Sequence, residues 1–169
     1  IAIGFDALSA NTSGSFNTAI GHFALDACVS DSNNVAIGHQ TLEVCVGSQN
    51  TAVGSGSLNK NTSADNNTAV GFASLSANTT GDQNVAVGAS AGAAVTTGVN
   101  NTILGGTAGD ALTEGNRNVV AGQGALSADT LGSESVALGW GALAAQNFTT
   151  ATNALNVAVG AVAGLSITT

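Results

Sequence analysis

The sequence has no proline, no methionine and no tyrosine, and it carries one tryptophan and five phenylalanines. Without proline, nothing along the chain withholds a backbone N–H from a ladder of strands. Without bulky side chains there is little to fill the middle of a thick globule, although 44% of the residues are hydrophobic. A narrow core suits this composition. Positive charge is almost missing: Lys60 and Arg117 face ten acidic residues, for a net charge of −8. Nucleic-acid binding needs basic residues to neutralise phosphates and is therefore not expected. No apolar run reaches the ~18 residues of a membrane-crossing helix, so no membrane insertion is expected of this segment. The sequence does not begin with methionine, and any targeting segment is expected to lie outside it. Two cysteines alone say nothing of the redox compartment.

What the chain has in quantity is Ala, Gly, Ser, Thr and Asn, and these recur on a period. Residues 67–71 read NTAVG, and altered copies stand at 17–21 (NTAIG), 34–38 (NVAIG), 50–54 (NTAVG) and 84–88 (NVAVG). Further copies follow at 101–105 (NTILG), 118–122 (NVVAG), 135–139 (SVALG) and 156–160 (NVAVG). Their last residues are anchor glycines, with Gly4 closing a truncated first copy. The anchors are 17 residues apart, except for one interval of 16 (Gly38 to Gly54) and one of 21 (Gly139 to Gly160). So regular a period means a repeat architecture. The expected fold is all-β: one parallel β-solenoid domain over 1–169, with about ten coils of 17 residues. Ile1 falls inside a repeat, so the chain is expected to be an excerpt of a longer one.

Read as columns, the repeat places Val, Ile or Leu one residue before the anchor and Thr or Val three before it. These two positions share one face of a strand, and the Ala between them points the other way. With apolar residues on both faces, such a strand is covered on both. One face would be the coil's own core, and the small Ala face could meet another chain closely. After the anchor, Leu at the fourth position and Ala at the sixth predict a second short strand. Gly92, Gly109 and Gly164 interrupt that Leu column. More than half of the residues should then be strand and almost none helix. The Asn four before the anchor should hydrogen-bond up and down the stack. Turns of the type at 78–81 (NTTG) close each coil. The four extra residues of the long coil predict a bulging loop at 146–153 (QNFTTATN).

The pentads NTAVG, NVAIG and SVALG resemble the head repeats of trimeric autotransporter adhesins of the YadA-like type. They are more similar still to the longer NTAVG repeats of tail fibres of phages and large aquatic viruses. The likeness covers essentially the whole chain, and each coil is about three residues longer than the bacterial head repeat. The resemblance implies a left-handed β-roll, three chains side by side as a homotrimer, and the Val/Ile positions facing inward. It also implies an extracellular place on a virion or cell surface and adhesion to a host receptor, with glycan among the candidates. The family's motif contains no catalytic residue, so no enzyme activity and no cofactor are expected.

Candidate sites are few. Phe5, Phe72 and Trp140 share the column after the anchor, and Phe148 lies in the long coil. Exposed aromatics on a polar rod can stack on sugar rings, whereas capping the core at coil edges would be a structural role. His22 and His39 share that column too; a metal site is one reading, but surface or stacked histidines are the favoured one, since no second ligand type accompanies them. Cys28 and Cys45 occupy one column of adjacent coils. They could form an inter-coil disulfide, but reduced stacked thiols in an apolar patch are the favoured reading. Asp26 and Glu43 also share a column, read as a solvated face. Asn11, Asn61, Asn66, Asn78, Asn100 and Asn147 each start an N-x-[ST] triplet. The expected function is that of a structural and attachment module in a trimeric surface fibre. An ice-binding solenoid built on the Thr column of Thr12, Thr62, Thr79, Thr96, Thr113 and Thr130 is the alternative, as is a subunit of a self-assembling extracellular filament.

Overall fold

The computed structural model describes residues 1–44 and 47–168. No helix occurs among them. The strands are β1 (Ala2–Ile3), β2 (Thr18–Ile20), β3 (Val35–Ile37), β4 (Thr51–Val53), β5 (Thr68–Val70) and β6 (Val85–Val87). They continue as β7 (Thr102–Leu104), β8 (Val119–Ala121), β9 (Gly132–Ser133), β10 (Val136–Leu138), β11 (Thr152–Asn153) and β12 (Val157–Val159). Ten of them form one parallel sheet in chain order, β1 to β8, then β10 and β12, while β9 pairs β11 separately. Each pairs with the same residues one repeat on, so that Thr51 faces Thr68 and Ala52 faces Ala69. The chain is a β-solenoid.

Most coils hold one short strand, not two, and the second strands β9 and β11 are two residues each, which corrects the expected strand content. The second limb is a run of turns. Its second and fourth residues after each anchor have positive φ, as at Phe23 and Leu25 (58° and 52°) or Ala73 and Leu75 (53° and 47°). A left-handed residue cannot continue a strand, and for leucine it costs roughly 1–2 kcal/mol. Stacking offsets that cost, because the limb's N–H groups still bond to the next coil. Leu58 N–H donates to Ser74 O at 3.1 Å, and Leu75 N–H to Ala91 O at 3.0 Å.

The core also departs from expectation. The Ala between the two β-branched positions faces into its own coil: Ala19, Ala36, Ala52, Ala69, Ala86 and Ala137 are fully buried. Val, Ile and Leu on either side of it point outward. The gap between strand and limb is narrow and already holds the leucines of the limb, so a methyl suffices opposite them in most coils; Ile103, against Gly92 and Gly109, and Val120 are the larger buried exceptions. Leu25, Leu42, Leu58, Leu75, Leu126 and Leu143 fill that gap, each stabilising the coil by roughly 1.5–3 kcal/mol. The limb residues that point inward are the third, fourth and seventh after the anchor, not the fourth and sixth.

Where the fourth is glycine, the seventh is apolar: Gly92 with Val95, Gly109 with Leu112, Gly164 with Ile167. A Cβ at Gly92 would lie 2.9 Å from Ile103 Cδ1 and 3.1 Å from Leu75 Cδ2. The missing leucine is thus replaced by bulk from neighbouring positions. The anchor glycines are required twice over. Gly71 has φ of 132°, and a Cβ there would stand 2.4 Å from Gly88 O.

Two polar ladders bind the coils. Asn50 N–H donates to Asn34 Oδ1, Asn67 N–H to Asn50 Oδ1 and Asn84 N–H to Asn67 Oδ1, at 2.8–2.9 Å. The Asn amide donates in turn to a turn carbonyl, as from Asn84 Nδ2 to Gly98 O at 2.8 Å. A second ladder runs two residues earlier in the same turn, where Ser32 N–H donates to Ser48 Oγ, Ser48 N–H to Asp65 Oδ1 and Asp65 N–H to Asp82 Oδ1. Satisfying buried N–H groups this way avoids roughly 1–3 kcal/mol for each one left orphaned.

In the long coil the bulge is smaller than 146–153. Gln146 is fully buried and donates to Asp129 Oδ2 and Ser135 Oγ. Its Oε1 accepts from Asn156 Nδ2 at 2.8 Å. It thereby serves the Asn ladder at the coil where Ser135 replaces asparagine. Thr152 and Asn153 return to pair as β11, leaving 149–151 exposed.

Candidate functional site

Two surfaces stand out, one on the strands and one at the corner that follows them. On the strands, the position after the buried Ala forms an apolar row along the whole sheet, and the position before it a row in which Val alternates with Thr18, Thr51, Thr68 and Thr102. Val87 is 40% exposed and Leu104 41%, with Ile37, Val85 and Val119 similar. Scattered exposed apolar residues are ordinary, but a continuous stripe is not.

At the corner, the residue after each anchor points into solvent. Phe5, Phe72 and Trp140 are 69%, 66% and 61% exposed, so they do not cap the core. Phe5 and His22 lie 5.3 Å apart between ring centroids, and His22 stacks on Phe23 at 3.9 Å and on His39 at 5.3 Å. Phe23, one position further on, joins this stack by virtue of its positive φ. The sequence hides its contribution, because Leu and Ala two apart predict a strand for this limb. Among the described residues no group of three or more His, Cys, Asp or Glu is close enough to hold a metal ion. Phe148 is half-buried, and its N–H donates to Asp129 Oδ1 at 2.9 Å.

Beside Phe72 is an open hollow of about 350 Å³, edged by Gln40, Gly56, Asn59, Lys60 and Ser76. Gly56 opens it: at φ of 69° its Cβ would meet nothing within 4 Å. Asn59 is held by bonds from Nδ2 to Gln40 O at 3.0 Å and to Glu43 Oε2 at 2.9 Å. The cations differ in their surroundings. Arg117 bonds Glu134 through Nε at 3.0 Å, whereas Lys60 forms no ion pair among the described residues. Sequence columns did hold the signal for this hollow, since glycine at Gly56 replaces the side chains of Phe23, Gln40 and Thr107.

The remaining sites separate clearly. Cys28 is buried, its Sγ 3.8 Å from Asp31 O, and Cys45 lies outside the described residues. Asp26 accepts from Ser9 Oγ and Glu43 from Asn59, so each carboxylate has its own donor. Asn61 and Asn78 are buried, while Asn66, Asn100 and Asn147 are exposed. Asp110 is half-buried with Oδ1 unpartnered. Burial pushes its carboxyl above the ordinary range, and a hydrogen bond from its own backbone partly offsets this. No family model, curated protein or solved structure matches the chain.

Proposed function

We propose that the chain is a structural and attachment module of a surface-exposed homotrimeric fibre, either a viral tail fibre or an adhesin shaft or head. The observation that carries this reading is the apolar stripe along the strands. A lone solenoid leaves the stripe in water. Three chains packed side by side would bury it, and burial of such area is worth roughly 25 cal/mol per Å². The row of Val, Ile and Leu before the anchors then faces the fibre axis. The Ala column, closed within each coil, takes no part in the contact.

Mechanically the module is a stiff spacer. Coils bond their neighbours through the backbone, the Asn ladder ties those from Asn17 to Ser135, and ten sheet strands at a spacing of ~4.8 Å span roughly 43 Å. The outward corner column, with its aromatics, is left to meet a receptor on the host surface. Ice binding is supported less well. The column hydroxyls are engaged between coils, as in Thr79 Oγ1 to Thr96 O at 3.1 Å and Thr96 Oγ1 to Thr113 O at 3.2 Å.

Light scattering at low micromolar concentration tests the reading. The expected mass is three times the chain's 16.2 kDa. A monomer at every concentration would overturn it.

A further inference from the structure

We propose that the hollow beside Phe72 binds a carboxylated pyranose ring, stacked on Phe72, with its edge in the space left by Gly56 and its carboxylate on the Lys60 ammonium. This gives the attachment role a receptor chemistry and rests on that role.

Three features argue for it. The first is room at a defined place. The second position after the anchor carries a side chain in most coils, and Gly56 removes it where an aromatic follows one coil on. A ring of sugar size fits a volume of about 350 Å³. The second is chemistry. Phe72 presents a flat, solvent-exposed face suited to the C–H face of a sugar, and Gln40, Asn59 and Ser76 offer polar groups at the rim. Lys60 is the chain's one lysine, on a surface of net charge −8, and it has no carboxylate partner among the described residues. The third is recurrence. Gly124 also faces empty space, and Trp140 follows it as Phe72 follows Gly56. There Ala128 stands in the column of Lys60, so the second hollow has the ring platform without the cation.

The test titrates the full chain, in a Trp140→Ala background, with glucuronate and with glucose. Saturation transfer from protein to the sugar ring protons is followed by NMR. Glucuronate is expected to saturate and to bind roughly tenfold more tightly than glucose, the added term being one charge-assisted contact. Lys60→Gln is expected to reduce glucuronate to the level of glucose. Phe72→Ala and Gly56→Gln are expected to abolish both. Gly56→Gln copies Gln40, which holds the same column at φ of 53°, and Phe72→Ala trims an exposed ring, so neither disturbs the core. No saturable transfer, or transfer that survives Phe72→Ala, overturns the site. Equal binding of the two sugars overturns the acidic class. The mass of each sample is read in parallel. A trimer that binds no sugar sinks this proposal and leaves the fibre; a monomer that binds with the stated pattern does the reverse.

Discussion

At the scale of single residues, the chain tolerates strain wherever stacking repays it. Leucine in a left-handed conformation is rare, yet Leu58, Leu75 and Leu126 adopt it because each then enters the core with its N–H bonded to the next coil. Anchor glycines admit no such trade, because the next coil's carbonyl occupies the place of a Cβ. Asp110 is an acidic residue whose partial burial leaves Oδ1 unpartnered. Its folded carboxyl is raised above 3.8, so the folded state holds the proton more tightly than the unfolded chain does. Stability contributed by the neutral form is then lost as pH rises through the folded value. Asp110→Asn is expected to raise Tm at pH 7, and the gain should vanish below the unfolded-state carboxyl range. A gain equal at pH 3 and pH 7 by thermal melts would rule out a buried charge as the cause.

At the scale of the coil, the core has two solutions. One pairs leucine at the fourth limb position with Asn, Cys, Asp or Gln at the seventh. The other pairs glycine with Val, Leu or Ile. Leu75→Gly alone is expected to cost roughly 2–5 kcal/mol through the cavity it leaves. Adding Asn78→Val copies the Gly92 and Val95 pair and should restore part of the loss. A double-mutant cycle by denaturant unfolding is expected to show coupling of about 1 kcal/mol or more. Strict additivity would mean that the two columns fill separate spaces. This covariation was present in the sequence. It was obscured because a limb read as strand puts the fourth and sixth residues, not the fourth and seventh, on one face.

At the scale of the whole molecule, the exposed stripe dominates. Val87→Asp places a carboxylate where chains would meet, three of them about one axis. Buried unpaired charges cost several kcal/mol, so the concentration for assembly should rise roughly a hundredfold or more. Sedimentation is expected to show a monomer with a wild-type circular dichroism spectrum, since Val87 lies outside the coil's core. A variant that stays trimeric would remove the stripe from the interface.

The period, the parallel β-solenoid and the Asn ladder were all determined by the sequence alone. A repeat of fixed length must stack like residues on like, and Asn can bond both ways along such a stack. Which strand face lies inside was decided only by tertiary structure. Alternation separates Ala from Val and Ile but does not say which set is enclosed. The narrow space opposite the limb's leucines accepts the methyl and turns the larger side chains outward. The hollow at Phe72 has the same origin, because a missing side chain at Gly56 becomes a site only when the next coil sets a ring beside it.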